Sequence, residues 1–200
     1  MNLNNLQTLE DFRFCAKKKL PKMVFGYIDG GAGDGLAIKR NSLSFKKLLL
    51  QPKTLLNVKN RNQSKKINNQ EFNYPFGIAP MGLCNVSNPK ADIMLAQSAN
   101  KQNIPLCVST AASSSIEEIY KIASKNVWFQ LYMGSSIENT LKLVKRVEKA
   151  GVENLIISVD VPAPGFRPRE LRDGFTAPFT LGLKQLIDCA LHPSWAIPYL

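Results

Sequence analysis

The 200-residue sequence is poor in metal-binding side chains, with one histidine and four cysteines. Cys15, Cys84, Cys107 and Cys189 include no C-x-x-C pair, and together with His192 they offer no plausible zinc set. We therefore predict reduced thiols and no metal site. The N-terminus "MNLNNLQTLEDF" lacks a basic start followed by an apolar core, and no run of about eighteen apolar residues follows it. These absences predict neither a signal peptide nor a spanning helix, and hence a cytoplasmic product.

Acidic residues are outnumbered, with 15 Asp and Glu against 26 Lys and Arg, which gives a net charge of +11. The most basic segment, residues 57–70, contains no aromatic residue, whereas single-strand nucleic-acid binders stack bases on aromatic rings. We predict a solvated loop there and no nucleic-acid partner. The charge suits an anionic substrate or an anionic membrane surface, and a peripheral basic binding protein stays a competing interpretation.

The glycine-rich stretch "YIDGGAGDG", residues 27–35, does not meet the requirements of a phosphate-binding loop. Such a loop follows a buried strand, but the preceding residues have the spacing of an amphipathic helix interrupted near Pro21. The third glycine of a dinucleotide pattern would fall at Leu36. We predict that Gly30 and Gly31 end a helix by taking left-handed backbone angles.

Strands and helices alternate after residue 74. Short apolar runs predict strands over 75–80, 104–110, 126–132 and 153–160. Capped amphipathic stretches predict helices over 89–103, 113–124 and 135–151, the last of which Gly151 ends. This order indicates a parallel sheet covered by helices in a chain that can bury a sizeable core.

Both a doubly wound sheet and a (β/α)8 barrel fit the alternation. Small or polar residues gather where each predicted strand ends, and barrel enzymes build their sites on this rim from several strands at once. We favour the first half of a (β/α)8 TIM barrel over 75–200, with 1–74 as an N-terminal helical and loop extension. Four strands cannot close an eight-stranded barrel. We therefore expect the first half of a longer protein, or two copies that pair to close a ring.

Five collinear motifs carry a resemblance to a known family: "KKLPKMVFGYIDGGAGDG", "GIAPMGLCNVSNP", "VSTAASSSIEE", "WFQLYMG" and "SVDVPAPGFRPRELRDGF". The chain resembles the FMN-dependent α-hydroxy-acid oxidases and dehydrogenases, which include glycolate oxidase, flavin-type L-lactate dehydrogenase and mandelate dehydrogenase. The segment "LHPSWA" is most similar to the bacterial lactate and mandelate branch. The resemblance implies FMN-dependent oxidation of a small L-2-hydroxy acid such as lactate to the 2-oxo acid, with hydride transfer to flavin N5.

The resemblance also implies roles for individual residues. Residues that match the family's flavin contacts are Pro80, Met81, Gly82, Ser109, Gln130 and Ser158. Residues that match its substrate contacts are Tyr27, Tyr132 and Arg167. An arginine suits a carboxylate because its guanidinium offers paired donors with a fixed charge. In this interpretation the glycines at 30–35 turn the chain so that Tyr27 reaches the barrel mouth.

The family's catalytic histidine base belongs to later strands, so we expect it beyond residue 200 and predict that this chain is incomplete and inactive alone. His192 is predicted to be structural. The alternative is a non-catalytic half-barrel remnant or interaction module. By resemblance, the segment 175–200 attaches the protein to the inner face of the cell membrane, where quinone accepts electrons, and the full-length form is a homo-oligomer.

Overall fold

The computed structural model describes residues 5–160, 163, 165–176, 180 and 182–200. These residues form two compact units. The first unit contains the described residues up to Lys53 and those after position 160, and the second unit contains Thr54–Asp160. The predicted division into 1–74 and 75–200 does not coincide with these bounds and stays a prediction.

The elements follow one another along the chain in a fixed order. The α-helices are α1 (Leu9–Lys19), α2 (Lys22–Asp29), α3 (Leu36–Lys46), α4 (Ala91–Gln102), α5 (Ile116–Ala123), α6 (Ile137–Lys149), α7 (Pro168–Asp173), α8 (Leu183–Ala190) and α9 (Pro193–Ala196). The strands are β1 (Lys65–Ile67), β2 (Gln70–Phe72), β3 (Leu106–Ser109), β4 (Val127–Tyr132) and β5 (Asn154–Ser158).

The first unit is helical. Thr8 and Asp11 form a capping box that starts α1, and Pro21 separates α1 from α2, as the sequence predicted. Helix α2 buries Met23, Val24 and Phe25. None of the described helices is both long and apolar enough to cross a membrane.

The prediction of left-handed angles at Gly30 and Gly31 is wrong. Gly30 is extended, with φ −82° and ψ 170°, and its N–H bonds to the Gly26 carbonyl as α2 ends. Gly33 and Gly35 take the positive angles instead, with φ 57° and 78°. The left-handed angles therefore lie later than expected, directly before α3 begins. Glycine adopts such angles without strain.

Parallel strands form the sheet of the second unit, in the order β3-β4-β5. The α/β class is confirmed, but the barrel stays a prediction, because the three-stranded sheet of the described residues is open at β5. The predicted strand over 75–80 is reduced to one bridge, in which Ile78 N donates to the Pro105 carbonyl and Cys107 N donates to the Ile78 carbonyl. Continuing this ladder would need an N–H on Pro105 or Pro80, and proline has none.

The sequence predicts a solvated loop over residues 57–70, but part of this segment is a strand. β1 and β2 pair as an antiparallel hairpin whose two turn residues, Asn68 and Asn69, both have positive φ. This is the backbone that a two-residue hairpin turn requires, and asparagine tolerates it well. Gln70 and Asn68 bond to Asn126 and Asn154, which anchors the hairpin beside the starts of β4 and β5.

The core of the second unit lies between the sheet and its helices. Val127, Phe129 and Leu131 of β4 are almost fully buried and pack in one cluster with residues of α4, α5 and α6. Since side chains alternate along a strand, Gln130 and Tyr132 point to the opposite face of the sheet. The sheet therefore presents one apolar face to its helices and carries the candidate site residues on the other.

Candidate functional site

Three neighbouring strands end at one edge of the parallel sheet. Ser109 of β3 pairs in register with Gln130 of β4, and Tyr132 of β4 pairs with Ser158 of β5. Because the strands are parallel, their carboxyl ends lie on the same side. Four of the predicted site residues are thereby brought together by backbone register alone.

A chain of side-chain hydrogen bonds crosses these strand ends. The Ser109 hydroxyl donates to Gln130 Oε1 at 3.1 Å, and Gln130 Nε2 donates to Ser158 Oγ at 3.0 Å. Gln130 is only 2% exposed, and Ser109 is 5% exposed and also accepts from the Ala111 amide. Buried amides and hydroxyls must be hydrogen-bonded, so this network fixes the orientation of all three side chains.

Thr110 organises the same edge, although the sequence placed it at a strand end without giving it a role. Its hydroxyl donates to the Gln130 carbonyl at 2.7 Å and accepts from the Tyr132 amide at 3.0 Å. The side chain thus ties β3 to the end of β4, just where Tyr132 turns half-exposed toward solvent. The sequence feature that could have predicted this contact is a hydroxyl residue directly after a buried strand.

The turn that follows Ile78 lies against the end of β3. Leu83 N donates to the Ala111 carbonyl at 3.0 Å, and a Cβ added to Gly82 would lie 3.1 Å from Ala111 Cβ. Pro80 and Met81 are exposed. The small size of Gly82 therefore lets this turn approach the end of β3 closely.

The other two predicted site residues, Tyr27 and Arg167, meet in the first unit. Arg167 Nη2 donates to the Tyr27 carbonyl at 3.2 Å, and its guanidinium carbon lies 5.5 Å from the centre of the Tyr27 ring. Phe175, which sequence reasoning missed, stacks on Tyr27 with ring centres 4.2 Å apart. Arg167 Nε also lies 2.7 Å from Glu170 Oε1, an ion pair that orients the side chain.

A second ion cluster supports this pair. Asp29, at the end of α2, accepts hydrogen bonds from Arg13 of α1 and Arg169 of α7. The hydrogen bond from Arg13 is the main cause that lowers the pKa of Asp29 below its ordinary value. α7 is thereby held to α2, next to Arg167 and Tyr27.

The thiols and the histidine show no catalytic arrangement among the described residues. Burial raises the pKa of Cys84 and of Cys107 to about 11, so both are neutral thiols at neutral pH. His192 lies at the start of α9, where Nδ1 is 2.7 Å from the Asp188 carbonyl. No three His, Cys, Asp or Glu side chains of the described residues come together as a metal site.

The sequence matches a family model described as FMN-dependent dehydrogenase over residues 16–200. Two curated relatives illustrate the match. (S)-mandelate dehydrogenase from Pseudomonas putida is 34% identical over 98% of this chain and 50% of its own length. A putative L-lactate dehydrogenase from Mycobacterium tuberculosis is 35% identical over 94% of this chain and 46% of its own length. The chain spans about half the length of the curated relatives it matches.

Solved structures agree with these relatives. A crystal structure of the monotopic membrane protein (S)-mandelate dehydrogenase superposes with a TM-score of 0.91 at 34% identity, over 98% of this chain and 52% of that one. A flavocytochrome b2 variant superposes with a TM-score of 0.81 at 29% identity, over 93% and 50%. The resemblance read from the five motifs is confirmed, as is FMN as the cofactor of the family. The chain belongs to the FMN-dependent dehydrogenases.

Proposed function

We propose that this chain supplies the flavin-ring side of an enzyme that oxidises a small, lactate-like L-2-hydroxy acid to the 2-oxo acid. The observation that carries this proposal is the Ser109-Gln130-Ser158 network, in which Ser109 and Gln130 are buried, at the carboxyl edge of the parallel sheet. Parallel α/β enzymes place their chemistry on this edge. The catalytic base is proposed to come from polypeptide outside these 200 residues, so that the chain alone does not turn over.

The residues present fit a flat, polar-edged ring. A flavin ring carries carbonyl oxygens and an N–H along one edge, and it needs both donors and acceptors opposite them. Gln130 Nε2 has one N–H besides the one that it donates to Ser158, and the hydroxyls of Ser109 and Ser158 can donate or accept. The turn around Gly82 is held close to the end of β3, so a ring could lie against its backbone. Pro80, Met81 and Gly82 are proposed to provide that backbone surface.

When bound, FMN would supply at N5 a two-electron acceptor for the hydride that the substrate loses. The contribution of this chain is to hold the reacting groups in place. Gln130 is proposed to hydrogen-bond the ring through its remaining N–H, whose direction the bonds to Ser109 and Ser158 fix. Such preorganised dipoles stabilise charge that develops during reaction without having to reorient.

The substrate is proposed to contact Tyr27, Tyr132 and Arg167. A guanidinium has five N–H donors; Arg167 Nη2 donates one to the Tyr27 carbonyl, and Nε forms an ion pair with Glu170. The remaining donors suit a substrate carboxylate. The stack of Tyr27 on Phe175 fixes the tyrosine ring, so its hydroxyl has a defined position.

The test adds FMN to the purified 200-residue chain and to the same chain co-expressed with the half of P. putida (S)-mandelate dehydrogenase that it does not match. For the chain alone we expect weak binding in an equilibrium titration, little or no flavin retained on desalting, and no bleaching by lactate. For the co-expressed pair we expect retained flavin whose visible absorbance is bleached by L-lactate or (S)-mandelate. Tyr132→Phe in the co-expressed pair should slow the bleaching and leave flavin retention unchanged. Tyr120→Phe, on the helix side of the sheet, is its matched control.

Two outcomes would contradict the proposal. Bleaching of the isolated chain by lactate would show that the base lies within these 200 residues. A well-folded pair that binds no FMN would favour the non-catalytic half-barrel or interaction module.

Contact with the inner face of a membrane is proposed as part of the same function. One relative of known structure is a monotopic membrane protein. In this chain, Leu183, Leu186 and Ile187 lie along one face of α8 and are all at least half exposed. Inserting such side chains contributes about 1.5–3 kcal/mol each, and each basic residue near an anionic surface adds about 1 kcal/mol. Quinone as acceptor and a homo-oligomeric full-length form remain proposals beside it.

Vesicle flotation tests this contact. We expect the chain to float with vesicles rich in anionic lipid, and deletion of 176–200 or the double substitution Leu186→Ser and Ile187→Ser to abolish flotation. Lys184→Gln on the same helix is the control for charge alone and should weaken it only slightly. Equal flotation of the deleted and intact chains would contradict the proposal. Residues 177–179 and 181 of this segment lie outside the described residues.

A further inference from the structure

A buried aspartate bonds to both of the turns that border the candidate flavin site. Asp92, in the first turn of α4, is only 6% exposed. Its Oδ2 accepts hydrogen bonds from the amides of Ser113 and Ser114 at 2.8 and 2.9 Å. Those amides belong to the turn between β3 and α5. A carboxylate that accepts two backbone N–H bonds in a buried place is a strong and directional anchor.

Asn85 extends this anchor to the turn that carries Gly82. Asn85 Oδ1 accepts from the Asp92 amide at 3.1 Å, and Asn85 N and Nδ2 donate to the hydroxyls of Ser113 and Ser114. The Cys84 thiol also lies 3.7 Å from the Met81 carbonyl as a weak donor. The two turns are therefore joined through Asn85, which binds the Asp92 amide and the serine hydroxyls, while the Asp92 carboxylate holds the serine amides.

The backbone of the Gly82 turn needs such support. Leu83 and Lys90 both have positive φ, 56° and 64°, although neither is a glycine. Non-glycine residues keep such angles only where the surrounding contacts impose them. The Asp92 network spans this strained segment, since it bonds at Asn85, between the two residues.

We propose that Asp92 is a positioning residue for the cofactor site. Its carboxylate holds the amides of Ser113 and Ser114, and its backbone amide binds Asn85, so that the turns of residues 110–115 and 80–86 stay together and Gly82 and Ser109 border one surface. The inference rests on the proposed function, because the surface matters only where a flavin ring lies on it. Asp92 itself touches neither ring nor substrate and acts through the backbone it holds.

The neighbouring thiols give a readout that does not depend on flavin. Cys84, Asp92 and Cys107 line one cavity of about 10 Å³, roughly the room of one water molecule. The pKa of Cys84 is raised by burial first and then by the charge of Asp92 and a hydrogen bond to it. The pKa of Cys107 is raised by burial alone. Cys107 is therefore an internal control for Cys84.

The experiment compares Asp92→Asn and Asp92→Ala with the wild-type chain. Glu138→Gln is the matched control, because it removes an exposed carboxylate from the first turn of α6. We measure the FMN dissociation constant by equilibrium titration, the pH midpoint of Cys84 and Cys107 alkylation by peptide mass spectrometry, and hydrogen exchange at Ser113 and Ser114.

We expect Asp92→Ala to weaken FMN binding about tenfold, since two buried amides lose their acceptor, and Glu138→Gln to change it less than about twofold. Asp92→Asn should weaken binding less, because its amide oxygen can still accept both N–H bonds. It should also shift the Cys84 midpoint to lower pH and leave the Cys107 midpoint unchanged. Exchange at Ser113 and Ser114 should accelerate in Asp92→Ala.

Wild-type affinity for FMN in a folded Asp92→Ala variant would overturn the proposal, and so would an unchanged Cys84 midpoint in Asp92→Asn. If Asp92→Ala fails to fold, Asp92→Asn decides by the same two measurements. If even the co-expressed pair binds no FMN, the proposed function fails. The Cys84 midpoint and the amide exchange then still decide whether Asp92 holds the two turns together.

Discussion

The hydrogen bond between Ser109 and Gln130 can be tested by a double-mutant cycle. Gln130→Met replaces a buried amide with an apolar side chain of similar length, and Ser109→Ala removes the hydroxyl that donates to it. Each single change leaves one buried partner without the other. The double change leaves neither.

The expected magnitudes follow from burial. In Gln130→Met the Ser109 hydroxyl, 5% exposed, loses its acceptor, and such an orphaned group costs about 1–3 kcal/mol. In Ser109→Ala, Gln130 Oε1 loses its donor at a similar cost, whereas Ala111, whose amide also loses a partner, is an exposed residue. We expect each single variant to lower the free energy of unfolding by about 1–2 kcal/mol, and the double variant by about 1 kcal/mol less than their sum.

Urea unfolding followed by Trp128 fluorescence gives these free energies. A Trp195→Phe background leaves Trp128 of β4 as the only tryptophan, so the signal reports the second unit alone. If the two single effects add to within about 0.3 kcal/mol in the double variant, the side chains do not interact and the network is refuted. In an FMN titration, each of these variants should bind FMN more weakly than the fraction of folded protein in its urea data accounts for.

Further predictions concern one glycine and one ion pair. Gly151→Ala should destabilise the second unit by about 1–3 kcal/mol, because φ there is +98° and the added Cβ would lie 2.7 Å from the Tyr120 ring. Gly134→Ala is the control: its added Cβ would lie no closer than 3.4 Å to another atom, so it should cost less than about 0.5 kcal/mol in the same urea assay. The hydrogen bond from Arg13 lowers the pKa of Asp29, so its stabilisation of the first unit is complete above pH 3.8 and is lost as pH falls through the lowered pKa. Urea midpoints of wild type and Asp29→Asn, read from Trp195 in a Trp128→Phe background, should differ at neutral pH and converge in acid; a difference that persists there would contradict the assignment.

Helices with local signals were predicted well. Ser115 and Glu118 form the capping box that the serine and glutamate pattern indicated, and Ser136 and Gly151 bound α6 as expected. Capping depends on residues within one turn of each other, so sequence alone contains the information.

Features that depend on two distant segments were not predictable. The predicted strand over 75–80 is limited to one bridge by Pro80, within the segment, and by Pro105, on its neighbour, which periodicity within 75–80 cannot show. The strand-end residues were named in advance, but their mutual hydrogen bonds depend on the register of β3, β4 and β5. Phe175 was missed for the same reason, since its stacking partner Tyr27 lies far away in the sequence.

The first unit is assembled from both ends of the sequence, with the second unit inserted between them. The contact of Arg167 with the Tyr27 carbonyl spans 140 positions. At a synthesis rate of about 5–20 residues per second, Tyr27 leaves the ribosome on the order of ten seconds before its partner exists. During that interval the intervening α/β unit can fold, while α2 lacks α7, the helix that packs against it. Chaperones that act on nascent chains would therefore bind within the first fifty residues.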